Sequence, residues 1–448
     1  MNYSFKKSLK LFFIVLIFFE FVFLVVFFFF PSFFDFLFVD DFVCSDCNVV
    51  LISIDTLRAD HLGVYGYERN TSPNIDILAE ESIVFKKAFS QAPLTVPSHM
   101  TMLTSLYPSV HKVCNYERSE YYCNHKLSEG IVTLTQLLKR KDYLTGGFTG
   151  GGHVSEFFGF SRGFDYWYEN NNTKLDTGYH INRTLSWLDY VSKEKFFLFY
   201  HTYTVHDPYI PPIRFQNWID KNNSNLYTSV EEFISDVNKS GLNWRKQFWS
   251  DIDFSFQENV KQLVALYDGE VLYVDEQVGM IIDKLKELGL YDKTIIVFTA
   301  DHGEEFLEHD DFLHWKLYNE ILHIPLIVRV PNIKQKIVND NVGLIDLAPS
   351  ILNFLNIDSF SQFQGKTFVP LIKNKDSNNR TILSESVQHY RQSIIKDDWK
   401  YIKKENDYEL YNLEYDFYEQ ENLIKEYPKK IERMEKLLNK FLEKIHTG

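Results

Sequence analysis

The chain has no excess of positive charge. Its 47 lysines and arginines face 61 aspartates and glutamates, a net charge of −14. A nucleic-acid binder needs a basic face or stripe, so that class of partner is excluded. Cysteine is scarce too: only Cys44, Cys47, Cys114 and Cys123. A Cys-x-x-Cys pair suits redox work or half a metal site, but no second pair stands at zinc-ribbon spacing. In an oxidising compartment the expectation is two structural disulfides, Cys44–Cys47 and Cys114–Cys123, with the pairing itself open. No internal repeat is present. Apolar residues are not in short supply, at 45% against 24% charged. That balance excludes wholesale disorder. The 448 residues exceed the ~100–200 of a typical domain and leave room for one large domain plus an appendage.

Aromatic residues are abundant, with 40 Phe, 27 Tyr and 7 Trp. Much of the phenylalanine lies in Leu11 to Phe30, LFFIVLIFFEFVFLVVFFFF, behind Lys6, Lys7 and Lys10. At about 1.5 Å per helical residue this run matches the roughly 30 Å hydrocarbon core of a bilayer. The lysines mark the cytoplasmic side, which puts the remainder on the extracytoplasmic face of a single-pass anchor. A cleaved secretory signal is the alternative, but it has a shorter apolar core of ~7–15 residues and a small-residue cleavage site. No Ala-x-Ala pattern precedes Cys44. Glu20 interrupts the run; with nothing else polar nearby, it reads as a tolerated carboxyl rather than a functional one.

Beyond the anchor, short apolar β-branched runs alternate with helical patterns. Asn48–Ile54, Leu144–Phe148, Lys195–Thr202, Thr294–Ala300 and Pro325–Val330 read as strands. Residues 73–79, 133–141, 179–192 and 258–288 read as helices, the first signalled by Ser72-Pro73. This alternation predicts an α/β domain with a mostly parallel sheet flanked by helices. After a polar stretch at 373–380, three strands at 391–396, 399–404 and 408–413 and a Lys/Glu-rich helix predict a small antiparallel subdomain. The expected organisation is a cytoplasmic end at 1–10, an anchor at 11–34 and a linker at 35–47. A main domain at 48–375 and a C-terminal subdomain at 376–448 follow.

In parallel sheets, ligands bind beyond the carboxyl ends of the strands. Two buried strands end in acidic residues there: Ile54 runs into Asp55, and Ala300 into Asp301-His302. Alone, an Asp-His pair is most simply a solvated turn. With Asp55 at the equivalent place on another strand, the three offer hard oxygen and imidazole nitrogen to a divalent ion. Between them in sequence lies Thr95-Val96-Pro97-Ser98-His99, where Pro97 starts a helix and Thr95 stands just before it. A threonine hydroxyl is a poor nucleophile until a base or metal lowers its pKa. Asp55, Thr95, Asp301 and His302 are therefore the expected metal set, with Thr95 also the nucleophile. His206 and His314 are expected to hold nonbridging oxygens or protonate a leaving group. His99 either orients Thr95 or caps the helix, and Arg58 either meets an anion or pairs on the surface.

Taken in order, these motifs resemble the sulfatase family. They are Ile54-Asp55-Thr56-Leu57-Arg58-Ala59-Asp60-His61-Leu62-Gly63, Tyr65-Gly66-Tyr67, Thr71-Ser72-Pro73-Asn74, Thr95 to His99, Tyr107-Pro108 and Asp301-His302-Gly303-Glu304. Later ones are Arg162-Gly163-Phe164-Asp165, Asp346-Leu347-Ala348-Pro349 and Glu409 to Leu413. The resemblance runs from about Asn48 to the C-terminus and implies an alkaline-phosphatase-like fold with a smaller C-terminal sheet.

Departures from the family pattern shape the function implied. Sulfatases that use formylglycine make it from the Cys or Ser of a C/S-x-P-S-R motif; here Thr95 and His99 stand at those positions, so formylglycine is not expected. The family's Gly-Lys-Trp-His element is missing, with Thr149-Gly150-Gly151-Gly152-His153 the nearest counterpart. Thr56 replaces a second Asp, and His302 an Asn. An Asp/Thr/Asp/His set resembles the single-metal site of membrane-anchored lipid phosphotransferases of the same superfamily. The cofactor expected is one divalent ion, Mn, Zn or Ca. The partner is a sulfate or phosphate ester, on a glycan or lipid head group. Three functions follow: an ester hydrolase, a phosphoryl-group transferase of phosphoethanolamine or phosphoglycerol type, and a non-catalytic binder on the same fold.

Overall fold

Strand β1, Asn48–Ile54, is buried along its whole length, as its unbroken apolar run requires of a strand covered on both faces. In the computed structural model it lies inside a sheet of eight strands. The structure describes residues 42–114, 126–170, 179–219, 230–241, 243–250, 252, 256–374, 380–386, 390–405 and 407–447. The other strands of this sheet are β2 (Ile83–Phe89), β3 (Leu144–Thr149), β4 (Tyr166–Glu169), β5 (Phe196–Thr202) and β6 (Thr294–Ala300). After a two-stranded hairpin, β7 (Glu305–Phe306) and β8 (Phe312–Leu313), come β9 (His323–Arg329) and β10 (Lys336–Gly343). The spatial order is β10-β2-β9-β6-β1-β5-β3-β4. All pairings are parallel except those of β9 with β2 and β6, so the expected mostly parallel sheet carries one reversed strand inside it.

Parallel pairing fixes which residues emerge together. Ile54 is in register with Thr202 of β5 and with Ala300 of β6. Asp55 and Asp301 therefore leave adjacent strands at one end of the sheet, one residue past the paired positions. The Gln257–Glu287 helix and the shorter Tyr179–Tyr190 and Leu134–Lys139 helices match the sequence expectation to within a few residues. The last carries a full capping box between Thr133 and Gln136.

The C-terminal part is a four-stranded antiparallel sheet, β11 (Ile382–Ser386), β12 (Arg391–Lys396), β13 (Trp399–Lys404) and β14 (Asp407–Asn412). It has one strand more than expected. The Pro428–Thr447 helix buries Met434, Leu438 and Ile445 against Leu383, Ile394, Tyr401 and Leu410 of this sheet. Everything described from Cys44 onward belongs to one compact unit. The Cys44–Cys47 disulfide is formed. Cys114 is also disulfide-bonded, while Cys123 and the apolar run at 11–34 lie outside the described residues. Among the described residues no helix is long and apolar enough to cross a membrane.

Candidate active site

Asp55, Asp301 and His302 are fully buried, and one ligand atom from each lies within 4.8 Å of the others. Both Asp55 oxygens, Asp301 Oδ2 and His302 Nε2 have no hydrogen-bond partner. Buried polar atoms left this way are costly. A cluster of four on three converging side chains is the pattern of a cation site. His302 Nδ1 donates to the Gly303 carbonyl at 3.0 Å, which leaves Nε2 as the lone-pair nitrogen. The other Asp301 oxygen, Oδ1, accepts from the Thr56 and His302 amides at 3.2 and 2.9 Å.

Electrostatics give the same result. Burial alone would raise the Asp55 carboxyl, but His201, His206 and His302 outweigh it and hold Asp55 below the usual carboxylate range. Asp301 goes the other way, pushed up by burial and by the neighbouring Asp55 charge. Two adjacent buried carboxylates cannot both ionise without a cation to share. Burial likewise holds His302 down at about 4, so it is neutral and able to ligate. The residues present fit one divalent ion.

Thr95 opens the helix Thr95–Thr104. The helix starts two residues earlier than Pro97 led us to expect. A proline is tolerated throughout the first turn, where backbone N–H groups have no intrahelical partner anyway. That turn is tied to the end of β6 by Ser98 Oγ, which donates to the Asp301 carbonyl at 2.6 Å. His99 is engaged at both nitrogens. Nδ1 donates to the Thr95 carbonyl at 3.0 Å, and Nε2 accepts from Ser53 Oγ at 2.9 Å. Burial and the neighbouring His201 hold its pKa down at about 3.

The remaining histidines line up beside the cluster. The His314 ring centroid is 4.4 Å from that of His302 and 5.4 Å from that of His206. His314 Nδ1 donates to Glu304 Oε1 at 2.9 Å, and Tyr209 donates to the other Glu304 oxygen at 2.8 Å. His206 Nδ1 is 2.9 Å from both the Asp207 carbonyl and Asp207 Oδ1. Every site residue expected from sequence except Thr95 thus presents its side chain within one group of rings and carboxylates; His99 belongs to it, with Nδ1 3.4 Å from Asp301 Oδ2 and its ring 4.8 Å from that of His201. Thr95 stands in the helical turn bound to this group.

The family model described as Sulfatase matches residues 47–357, more than half of the chain. This chain is a member of the sulfatase family. A second model, described as the C-terminal part of N-sulphoglucosamine sulphohydrolase, matches residues 307–447. An arylsulfatase of Clostridium perfringens is 25% identical over 90% of this chain and 95% of its own. An N-acetylglucosamine-6-O-sulfatase of Bacteroides thetaiotaomicron is 23% identical over 87% and 85%. Among solved structures, one in complex with its substrate D-glucosamine-2-N,6-O-disulfate superposes with a TM-score of 0.73 at 19% identity, covering 90% of this chain and 98% of that one. The phosphonate monoester hydrolase of Agrobacterium radiobacter gives 0.71 at 18%, over 89% and 96%. As a sulfatase-family protein the chain is an ester hydrolase.

Within this sulfatase-family site, some residues behave differently from what sequence alone suggested. Arg58 is buried and bound to Asp60 at 2.8 Å and Glu308 at 2.5 Å, which makes it a structural ion-pair centre. Thr56, where the family pattern has a second Asp, turns its hydroxyl to the Asp55 and Val205 carbonyls at 2.8 and 3.1 Å. His201 was not in the expected set. Gly150 N–H donates to its Nδ1, and its Nε2 lies 3.5 Å from Asp55 Oδ2. The signal was available, because His201 closes a buried strand at the same sheet end as Asp55. His309 lies apart, stacked on Tyr318 and bonded to Glu320. His153 lies on the Gly151–Val154 turn, its amide donating to Tyr203 Oη at 3.0 Å.

Proposed function

We propose that this chain is a metal-dependent hydrolase of sulfate or phosphate esters, anchored by its N-terminus on the extracytoplasmic face of a membrane and working through a covalent Thr95 intermediate. The observation that carries the proposal is the buried, unpartnered Asp55–Asp301–His302 cluster beside the first turn that begins at Thr95. A divalent ion there, manganese or zinc before calcium, would supply Lewis acidity that lowers the pKa of the threonine hydroxyl. Thr95 Oγ forms a bond to sulfur or phosphorus as the bond to the leaving ester oxygen breaks. The hydroxyl proton passes to solvent, and the leaving oxygen takes one from His206 or His314. Water then attacks the threonine ester, Thr95 regains its proton, and sulfate or phosphate departs. His99, neutral and held at both nitrogens, fixes the Thr95 carbonyl and so the position of the turn.

The similarity to an N-acetylglucosamine-6-O-sulfatase favours a sulfated glycan as substrate. Thr95 in the nucleophile position keeps phosphate esters as a second substrate and a phosphoryl transferase as the second reading. The anchor rests on the apolar run Leu11–Phe30 and the lysines before it.

The test is turnover of matched aryl sulfate, phosphate monoester and phosphodiester substrates, with and without chelator, quenched during steady state and followed by peptide mass measurement. We expect chelator to abolish turnover, Mn²⁺ or Zn²⁺ to restore it, and a sulfo or phospho adduct to appear on the Thr95 peptide. Undiminished turnover by Thr95→Ala would overturn the covalent step.

A further inference from the structure

On the far side of the Thr95–Thr104 helix from the active site lies a groove of about 1170 Å³. Its walls come from the main domain and from the C-terminal sheet and helix. A ten-residue helix at about 1.5 Å per residue separates the two ends by about 15 Å. The groove is built rather than incidental: Gln364 Nε2 donates to the Ile445 carbonyl at 2.7 Å, clamping the 361–366 segment to the end of the C-terminal helix. Phe363 and Phe441, both half-buried, contribute aromatic lining, with the buried Tyr107 packed edge-on against Phe441 at 5.7 Å between ring centroids.

The charge of this lining runs against that of the molecule. The chain carries a net −14, yet the described lining holds Lys112, Lys366, Arg380, Lys396 and Lys444 against the single carboxylate of Asp346. Arg380 neutralises Asp346 at 3.0 Å, so the lysines are left in excess. They arrive from four separate segments: the turn after the Pro108–His111 helix, the 361–366 segment, β12, and the last turn of the Pro428–Thr447 helix. Charge gathered this way is not the by-product of one solvated helix face. Lys112, Lys366 and Lys444 are exposed and make no ion pair among the described residues.

We propose that this groove is a second binding site, for a stretch of acidic polysaccharide outside the active site. The cations face its sulfate or carboxylate groups, and the aromatic rings face its sugar faces. A concave groove fits a polymer strand better than a flat bilayer. The acidic remainder of the surface repels a polyanion elsewhere and so concentrates it here. The inference rests on the glycan-ester reading and deepens it: a polymer held in the groove stays with the protein and offers its esters at raised local concentration.

The test uses the full-length protein in detergent and dextran sulfate as the probe, with unmodified dextran beside it. Lys112→Ser, Lys366→Ser and Lys444→Ser together should weaken dextran sulfate binding about tenfold at low salt, while turnover of a small aryl ester and the melting temperature stay unchanged. A control with Lys193, Lys261 and Lys436 changed to Ser, all exposed and none lining the groove, should bind as the parent does. Equal weakening in the two triple variants, or none in either, overturns the proposal. So does loss of binding to phosphatidylglycerol vesicles with dextran sulfate binding intact, which would make the groove a membrane-facing surface. If the parent turns over no aryl ester but still loses dextran sulfate binding on the groove substitutions, the groove stands and the hydrolase reading falls.

Discussion

Glu304 lies behind His314, with Tyr209 on its second oxygen; a carboxylate there favours the protonated imidazolium from which His314, in the proposed mechanism, would donate to the leaving oxygen. Glu304→Gln keeps the shape of the contact and removes that charge. We expect kcat to fall about 100-fold on an ester with a poor leaving group and far less on an activated aryl ester, which needs no protonation. Equal losses on both substrates would show that Glu304 only holds the fold. At this scale the sequence was most legible where chemistry and topology coincide. Asp55, Asp301 and His302 follow directly on buried apolar strands, so their types and positions already placed them together in one buried cluster. Arg58 was not legible, because its partners Asp60 and Glu308 are two and 250 positions away, and only the fold brings the second of them in. His201 is not legible as part of the site, because a lone histidine in a buried strand is more often packed than functional.

Between elements, one tight junction is Gly303. A methyl group there would collide with the Glu320 carbonyl oxygen, in a place where Gly303 N–H already bonds the Ile321 carbonyl at 2.7 Å. Gly303→Ala should cost about 1–3 kcal/mol through forced overpacking, read as a lower urea midpoint at unchanged m-value. The same junction carries a pH dependence. Burial would lower the His309 pKa, but bonding to Glu320 outweighs it and raises His309 to about 9. Its stabilising contribution is thus complete below the unfolded value near 6.5 and is lost as pH rises through about 9. With 12% of its side chain exposed, that is worth about 1–2 kcal/mol after solvent screening. His309→Gln should flatten the decline in melting temperature between pH 7 and 9.5; an unchanged slope would place the titration elsewhere. Strands were legible where both faces are covered, as in β1 and β6. β2 (IVFKKAF) and β10 (KIVNDNVG) were missed because Lys86, Lys87 and the polar centre of β10 break the apolar run. β10 is an edge strand with a register shift, so its outer face tolerates polar residues.

For the whole molecule, Cys44–Gly448 is a compact unit with its own core, closed near its start by the Cys44–Cys47 bond. A chain beginning at Cys44 should therefore keep its melting temperature and its kcat/KM toward a soluble aryl ester. It should lose association with membranes in a flotation assay. Retained flotation would locate the membrane contact on the folded unit instead of the apolar run. The general architecture was legible from alternating patterns; the reversed strand β9 was not, because a fully buried strand looks the same in either direction.

The site also has a place in time. Thr56, beside Asp55, bonds Asp301 across 245 positions of chain, and both lie on the central strands of one sheet. During synthesis the first carboxylate emerges early, and the second, with His302, only after some two-thirds of the protein exists. Contacts so distant in sequence form late, since the intervening chain must first be ordered. An ion that needs all three side chains is captured only once β1 and β6 are side by side. Its uptake would therefore mark the pairing of β1 with β6, with β9 and β10 still to be laid down.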